Sequence, residues 1–149
     1  MPWESRSYWL RAVGLWFLLV LAETLHGLWR VKVLDLWIGD AAARGISVFT
    51  GSLVILLITL SCIGWIAARS ARTLVLVGFM WMGLTIAYEL ALGRFAFHLS
   101  WAAIASDFKL SQGSLLPIGL LFLMFSPLLA ARLRRQLTER ARRAAGPQV

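Results

Sequence analysis

Residues Gly45 to Ala68 run for 24 positions without one charged side chain. A helix needs about 20 predominantly apolar residues to cross the hydrocarbon core of a bilayer. Three further blocks approach the same pattern: Tyr8 to Leu28, Thr73 to Gly93 and Ser114 to Ala131. The reading is an all-α integral membrane protein, a four-transmembrane-helix bundle with spans at roughly 8–28, 45–68, 73–93 and 114–131. Outer loops then cover 29–44 and 94–113, the membrane domain occupies 1–131, and a basic tail follows at 132–149. Pro117 falls near the first turn of the last span, where a missing amide costs little, whereas Pro127 lies deeper and is expected to bend or end the helix.

Composition supports this class because it is blocky. The chain is 60% hydrophobic and 15% charged, against about 25% charged for a soluble domain. The formal charge of +8 does not indicate nucleic acid, since the basic residues gather at the ends of the apolar blocks. Arg6, Arg11, Arg69 and Arg72 lie on one side with the tail arginines Arg132, Arg134, Arg135, Arg140, Arg142 and Arg143. The other side holds Arg30, Lys32, Arg44, Arg94 and Lys109, offset by Asp35, Asp40 and Asp107. The positive-inside rule then puts the N and C termini in the cytoplasm. Trp3, Trp9 and Trp65 fall near that inner interface and Trp29, Trp37 and Trp101 near the outer one, while Trp16 and Trp81 fit no belt and are expected inside. The compact polytopic design suggests a bacterial inner membrane. A competing reading of the N-terminus is a cleavable signal, with Arg6 and Arg11 before an apolar core ending in "VLA" at Ala22.

The chain also reads as two related halves. "AETLHG" and "YELALG" each set a glutamate four residues before a glycine, Glu23 to Gly27 and Glu89 to Gly93. An arginine, an aromatic loop, a late aspartate and a glycine follow in each, with a shift of 66 residues at the glutamates and 67 at Asp40 and Asp107. Coincidence is the alternative to parallel helical-hairpin repeats related by an axis along the membrane normal. The loops mix Trp, Phe and Leu with charge, as short interfacial helices do. Asp40 and Asp107 are candidate caps, and His98 is expected to be solvated or interfacial.

Four polar residues interrupt the greasy spans. Glu23, His26 and Arg30 stand three and four apart and share a helix face, with Arg30 leaning back toward Glu23. A carboxylate at mid-bilayer costs about 2.5–3.5 kcal/mol on insertion scales, less near the interface. Glu23 and Glu89 therefore have to be neutral, paired or facing a wet cavity. The expectation is one polar cluster near the outer face, with Glu89 reaching Arg30 or His26 across the bundle and Arg94 at its edge. "ETLH" has the Glu-x-x-His spacing of di-iron bundles, but such centres need two of these motifs and two more glutamates. His26 and His98 are the only histidines for a haem, and Cys62 lies in an apolar run where it is expected to pack. No cofactor or metal is expected, and no catalytic arrangement is visible.

Two functional readings remain from the sequence. In one, the protein is a non-catalytic accessory or assembly subunit, its cluster holding helices or a membrane-protein partner. In the other, it is an oligomeric transporter or proton-coupled permeation protein using Glu23, His26 and Glu89. The tail arginines serve topology or bind anionic lipid headgroups in either case.

Overall fold

The structure is a computed structural model that describes residues 2–68, 70–110 and 114–145, with the side chains of residues 2–6, Ala41 and Asp107 left aside. Among the described residues every regular element is helical. Helix α1 spans Pro2–Trp29 and runs on through a π-helical stretch, Arg30–Leu34, into the short α2, Asp35–Ile38. Gly39, with φ of 80°, turns the chain into α3, Asp40–Ile66. Helix α4 covers Ala71–Ala91 and ends in a second π-helical stretch, Leu92–Ala96. Helix α5, Trp101–Asp107, and the long α6, Leu116–Ala144, complete the chain.

Four helices are long and apolar enough to cross a membrane, covering Ser7–Ile38, Ala42–Ile66, Ala71–Ala96 and Leu116–Ala144. They pack in the order α1, α3, α6, α4, with a thinner contact closing α1 onto α4. We call the end that carries Gly39 and Phe97 the loop end, and the end that carries Arg11, Trp65 and Arg134 the tail end. In the segment 29–44, where short interfacial helices are expected, every residue but Gly39 is helical. The second loop does contain a helix, α5, capped by Ser100 Oγ accepting from Ala103 N at 3.2 Å.

The core lies toward the tail end, where Ala12, Leu15, Trp16, Leu19, Ile63, Ile66, Leu74, Val77 and Trp81 are buried together. Trp16 and Trp81 pack inside as expected, and both indole N–H groups are satisfied across the α1–α4 seam. Trp81 donates to Ala12 O at 2.8 Å and Trp16 to Thr85 Oγ1 at 2.9 Å. Nearer the loop end Thr24 spends its proton on Val20 O at 2.7 Å, so the Tyr88 hydroxyl donates to Thr24 Oγ1 at 3.2 Å. Three polar contacts thus hold a seam that has little packing of its own. Cys62 packs against the core.

Pro127 does not end its helix: α6 continues unbroken from Leu116 to Ala144, through what was expected to be a separate tail. Proline has no N–H for the carbonyl four residues back, here Leu123 O. Ser126 Oγ donates to that same oxygen at 2.8 Å, so the backbone group is satisfied inside the bundle. Next to it, the Met124 carbonyl sits against Gly78 of α4, where any Cβ would collide with it. Glycine at 78 is what lets α4 and α6 approach backbone to backbone, as small residues do between membrane helices.

Arginines finish α3 at the tail end, where a helix leaves carbonyls unpaired and its dipole is negative. Arg11 donates to Trp65 O at 3.1 Å, and Arg134 donates to Ser61 O at 3.4 Å while lying flat on Gly64. Arg134 therefore packs against α3.

Gly78→Ala is expected to destabilise the protein by about 2 kcal/mol, the usual scale of overpacking. Gly83→Ala, where a Cβ meets nothing within 4 Å, should be nearly neutral. Thermal unfolding in detergent checks the pair; equal melting temperatures would refute the close approach.

Candidate functional site: a polar cleft at the loop end

Glu23 and Glu89 come from α1 and α4 and border the same two cavities, as do Gly27, Arg30, Ile55, Leu116 and Gly119. One cavity, about 340 Å³, adds His26, Arg44, Ser47 and Ser52 and is the more polar. The other, about 470 Å³, adds Trp16, Leu19, Val20, Leu28, Thr85, Tyr88, Leu120 and Leu123. Glu23 and Glu89 thus line common cavities.

The position of Glu23 follows from its neighbour on α3. A Cβ at Gly51 would lie 2.8 Å from Glu23 Oε2, so a side chain there would push the end of the carboxylate aside. Glu23 Oε1 is buried and has no hydrogen-bond partner, and the same holds for Ser47 Oγ across the cavity. His26 is one turn along the same face, its Nδ1 3.8 Å from Glu23 Oε2. Its other nitrogen, Nε2, is 2.8 Å from Thr50 Oγ1. Thr50 already donates to Ile46 O at 3.1 Å, so Nε2 carries a proton and gives it to the threonine. Nδ1 and Glu23 then face each other, and their approach is attractive when one proton lies on either of them.

Arg30 departs from the expected geometry. It does not turn back to Glu23; its Nη1 lies 3.3 Å from both oxygens of Asp35 and 3.4 Å from Asp40 Oδ1. The cause is the π-helical stretch that starts at Arg30. Its backbone bonds run from i to i+5, as Asp35 N to Arg30 O shows, which stacks Asp35 over Arg30. Asp40 in turn is clasped by Arg44, with Nε 2.8 Å from Oδ2. It caps nothing: Gly39 is the N-cap of α3 and no side chain serves it. The result is a chain Asp35–Arg30–Asp40–Arg44 that ties the end of α1 to the start of α3. It was not anticipated, because spacing rules for an α-helix place residue i+5 on another face.

The remaining expected residues separate from the cluster. Arg94 is exposed and donates to Leu99 O at 3.2 Å, its guanidinium 5.8 Å from the Trp101 ring centre. It belongs to the α5 connection, where Ile104 packs against Gly93, and not to the intramembrane cluster. His98 is exposed with φ of 52°. Asp107 closes α5, and its side chain lies outside the described residues. Arg132, Arg135, Arg140, Arg142 and Arg143 are exposed along α6 beyond the apolar stretch. Among the described residues no group of three or more His, Cys, Asp or Glu side chains is arranged to hold a metal ion.

The fold and the cleft define a multi-pass helical membrane protein with a polar recess at one end of its bundle. No protein-family model, curated protein or solved structure matches the chain.

Asp40 lies between the spans, and its carboxyl is held below the usual value of 3.8, first by the Arg44 hydrogen bond and then by the charges of Arg44 and Arg30. A depressed carboxyl stabilises the fold above its unfolded pKa and loses that effect as pH falls through the folded value. The stability difference between wild type and Asp40→Asn should therefore be full above about pH 5 and vanish in stronger acid. A difference that grows as the pH falls below 3.8 would contradict the clasp.

Proposed function

We propose that this chain is a small, non-catalytic accessory or assembly subunit of a bacterial inner membrane, with both termini cytoplasmic. The loop-end cleft that its intramembrane acids line receives a group from outside the chain. The observation that carries this reading is that the cleft is blind. Trp16, Leu19 and Leu123 line its deep wall, and from there to the tail end the interior is Leu15, Ile63, Ile66, Leu74, Val77 and Trp81. Among the described residues no Asp, Glu, His, Lys or Arg is buried there, and the buried polar side chains are Thr59 and Ser126, so a single chain has a place to bind and no charged route through.

The orientation rests on the arginine asymmetry, with Arg11 and Arg134 at the tail end and the exposed arginines of α6 beyond it. The repeat reading gains one feature: both loop-directed spans, Ser7–Ile38 and Ala71–Ala96, contain a five-residue π-helical stretch near that end. Those stretches are 62 residues apart, which does not match the spacing of the glutamates, so the halves would have diverged in register.

The second reading, proton-coupled permeation by an oligomer, is favoured by the His26–Glu23 contact and by two acids in one recess. The accessory reading expects Glu23→Gln and Glu89→Gln to stay folded and to lose a stoichiometric partner that wild type retains in mild detergent. A homo-oligomer without a partner, whose proton or solute flux changes in either variant, would overturn it in favour of transport.

A further inference from the structure

The two cavities meet along one wall yet differ in chemistry. Between α1 and α4, beyond the Trp16–Thr85 bond, the seam opens into the larger space, with Leu19, Val20, Leu28, Leu120 and Leu123 around it. Most of this lining is apolar, which suits an alkyl chain, while Glu23, Arg30 and Glu89 border both cavities. The smaller cavity continues from it across Glu23 and Arg30 toward His26 and Ser47.

Charge decides what can sit at that polar end. Arg30 and Arg44 are both on Asp40, and Arg30 is also on Asp35. Both arginines on the cavity wall are thus engaged by aspartates at its mouth, whereas Glu23 keeps one buried carboxylate oxygen without a partner. That oxygen, Oε1, is an acceptor that lacks a donor, and the Ser47 hydroxyl, which can donate or accept, has no partner. An ammonium group supplies donors and no acceptor, which is the complement of this wall. An anionic head would meet carboxylates instead, at a cost that rises as the site is desolvated. Arg30, the first residue of one π-helical stretch, and Leu92, the first of the other, both line the larger cavity, and such irregular turns are frequent at functional sites.

We propose that the two cavities form one site for an amphiphile, its alkyl chain lying between α1 and α4 and its ammonium head on Glu23. The inference rests on the reading of the cleft as a receiving site. An aminophospholipid and a free long-chain amine share the required chemistry.

The test uses the full chain in mild detergent, offered phosphatidylethanolamine and phosphatidylglycerol with identical acyl chains, with retained lipid counted by native mass spectrometry. A preference of about tenfold for phosphatidylethanolamine is expected, the scale of one charge-assisted contact. It should disappear in Glu23→Gln and weaken in Gly51→Ala, which displaces the carboxylate and keeps its charge. Displacement of that lipid by dodecylamine supports the site with a lipid as its occupant; binding of dodecylamine with both lipids rejected supports it with a free amine. Equal or preferential retention of phosphatidylglycerol overturns the ammonium assignment and leaves a receiving cleft of other chemistry. A preference unchanged in both folded variants overturns the role of Glu23. Retention of no amphiphile at all overturns the inference and leaves the partner-receiving reading to its own test.

Discussion

A carboxylate inside a hydrocarbon layer has to be turned away from lipid, and the seating of Glu23 against Gly51 does this. The contact uses the space beside Gly51 of α3, opposite the acid on α1, where a Cβ would push Oε2 aside. Once Glu23 is fixed in the α1–α3 interface, His26 falls beside it and Thr50 of α3 takes the imidazole proton. The polar face of α1 is then committed to the interior, and its exposed face is Phe17, Leu18, Leu21, Leu25 and Leu28. An exposed apolar face of this extent marks a membrane or partner surface in any protein. Here it is what a spanning helix shows to lipid.

The rest of the bundle divides into a closed half and an open half. At the tail end, backbone contact at Gly78 and the repaired proline turn at Ser126 and Pro127 bring α4 and α6 together. Indole donors tie α1 to α4 over the same depth. Toward the loop end those devices stop, only the Tyr88–Thr24 bond remains on the seam, and the helices leave room for two cavities. The recess is thus a consequence of where the close-packing residues stand. Its mouth is held by the alternating Asp35–Arg30–Asp40–Arg44 chain, which joins α1 to α3 by charge and not by packing.

Much of this was legible in the chain. Hydropathy blocks gave four helices, since lipid allows few other ways to satisfy a backbone. The unusual residues Glu23, His26 and Glu89 identified one end of the bundle as special, and Trp16 and Trp81, which fit no interfacial belt, proved to be interior. What failed did so for a common reason. The partner of Arg30 was read with α-helical spacing, and a π-helical stretch shifted the face by bringing Asp35 over it. The continuity of α6 through Pro127 depended on the serine just before it, a pairing that no hydropathy pattern reports. Gly51, Ser47 and Thr50 were missed as site residues because they belong to the span with no charge; their value lies only in what α1 places opposite them.

The central claim is that a water-accessible recess reaches Glu23 and Glu89 from the loop end and stops above the apolar plug. Single cysteines placed in a Cys62→Ser background and exposed to a membrane-impermeant thiol reagent test it directly. Glu23→Cys and Glu89→Cys should be modified from the loop side only, while Leu19→Cys and Val77→Cys stay silent from both sides. Silence at positions 23 and 89, or modification at 77, would contradict it.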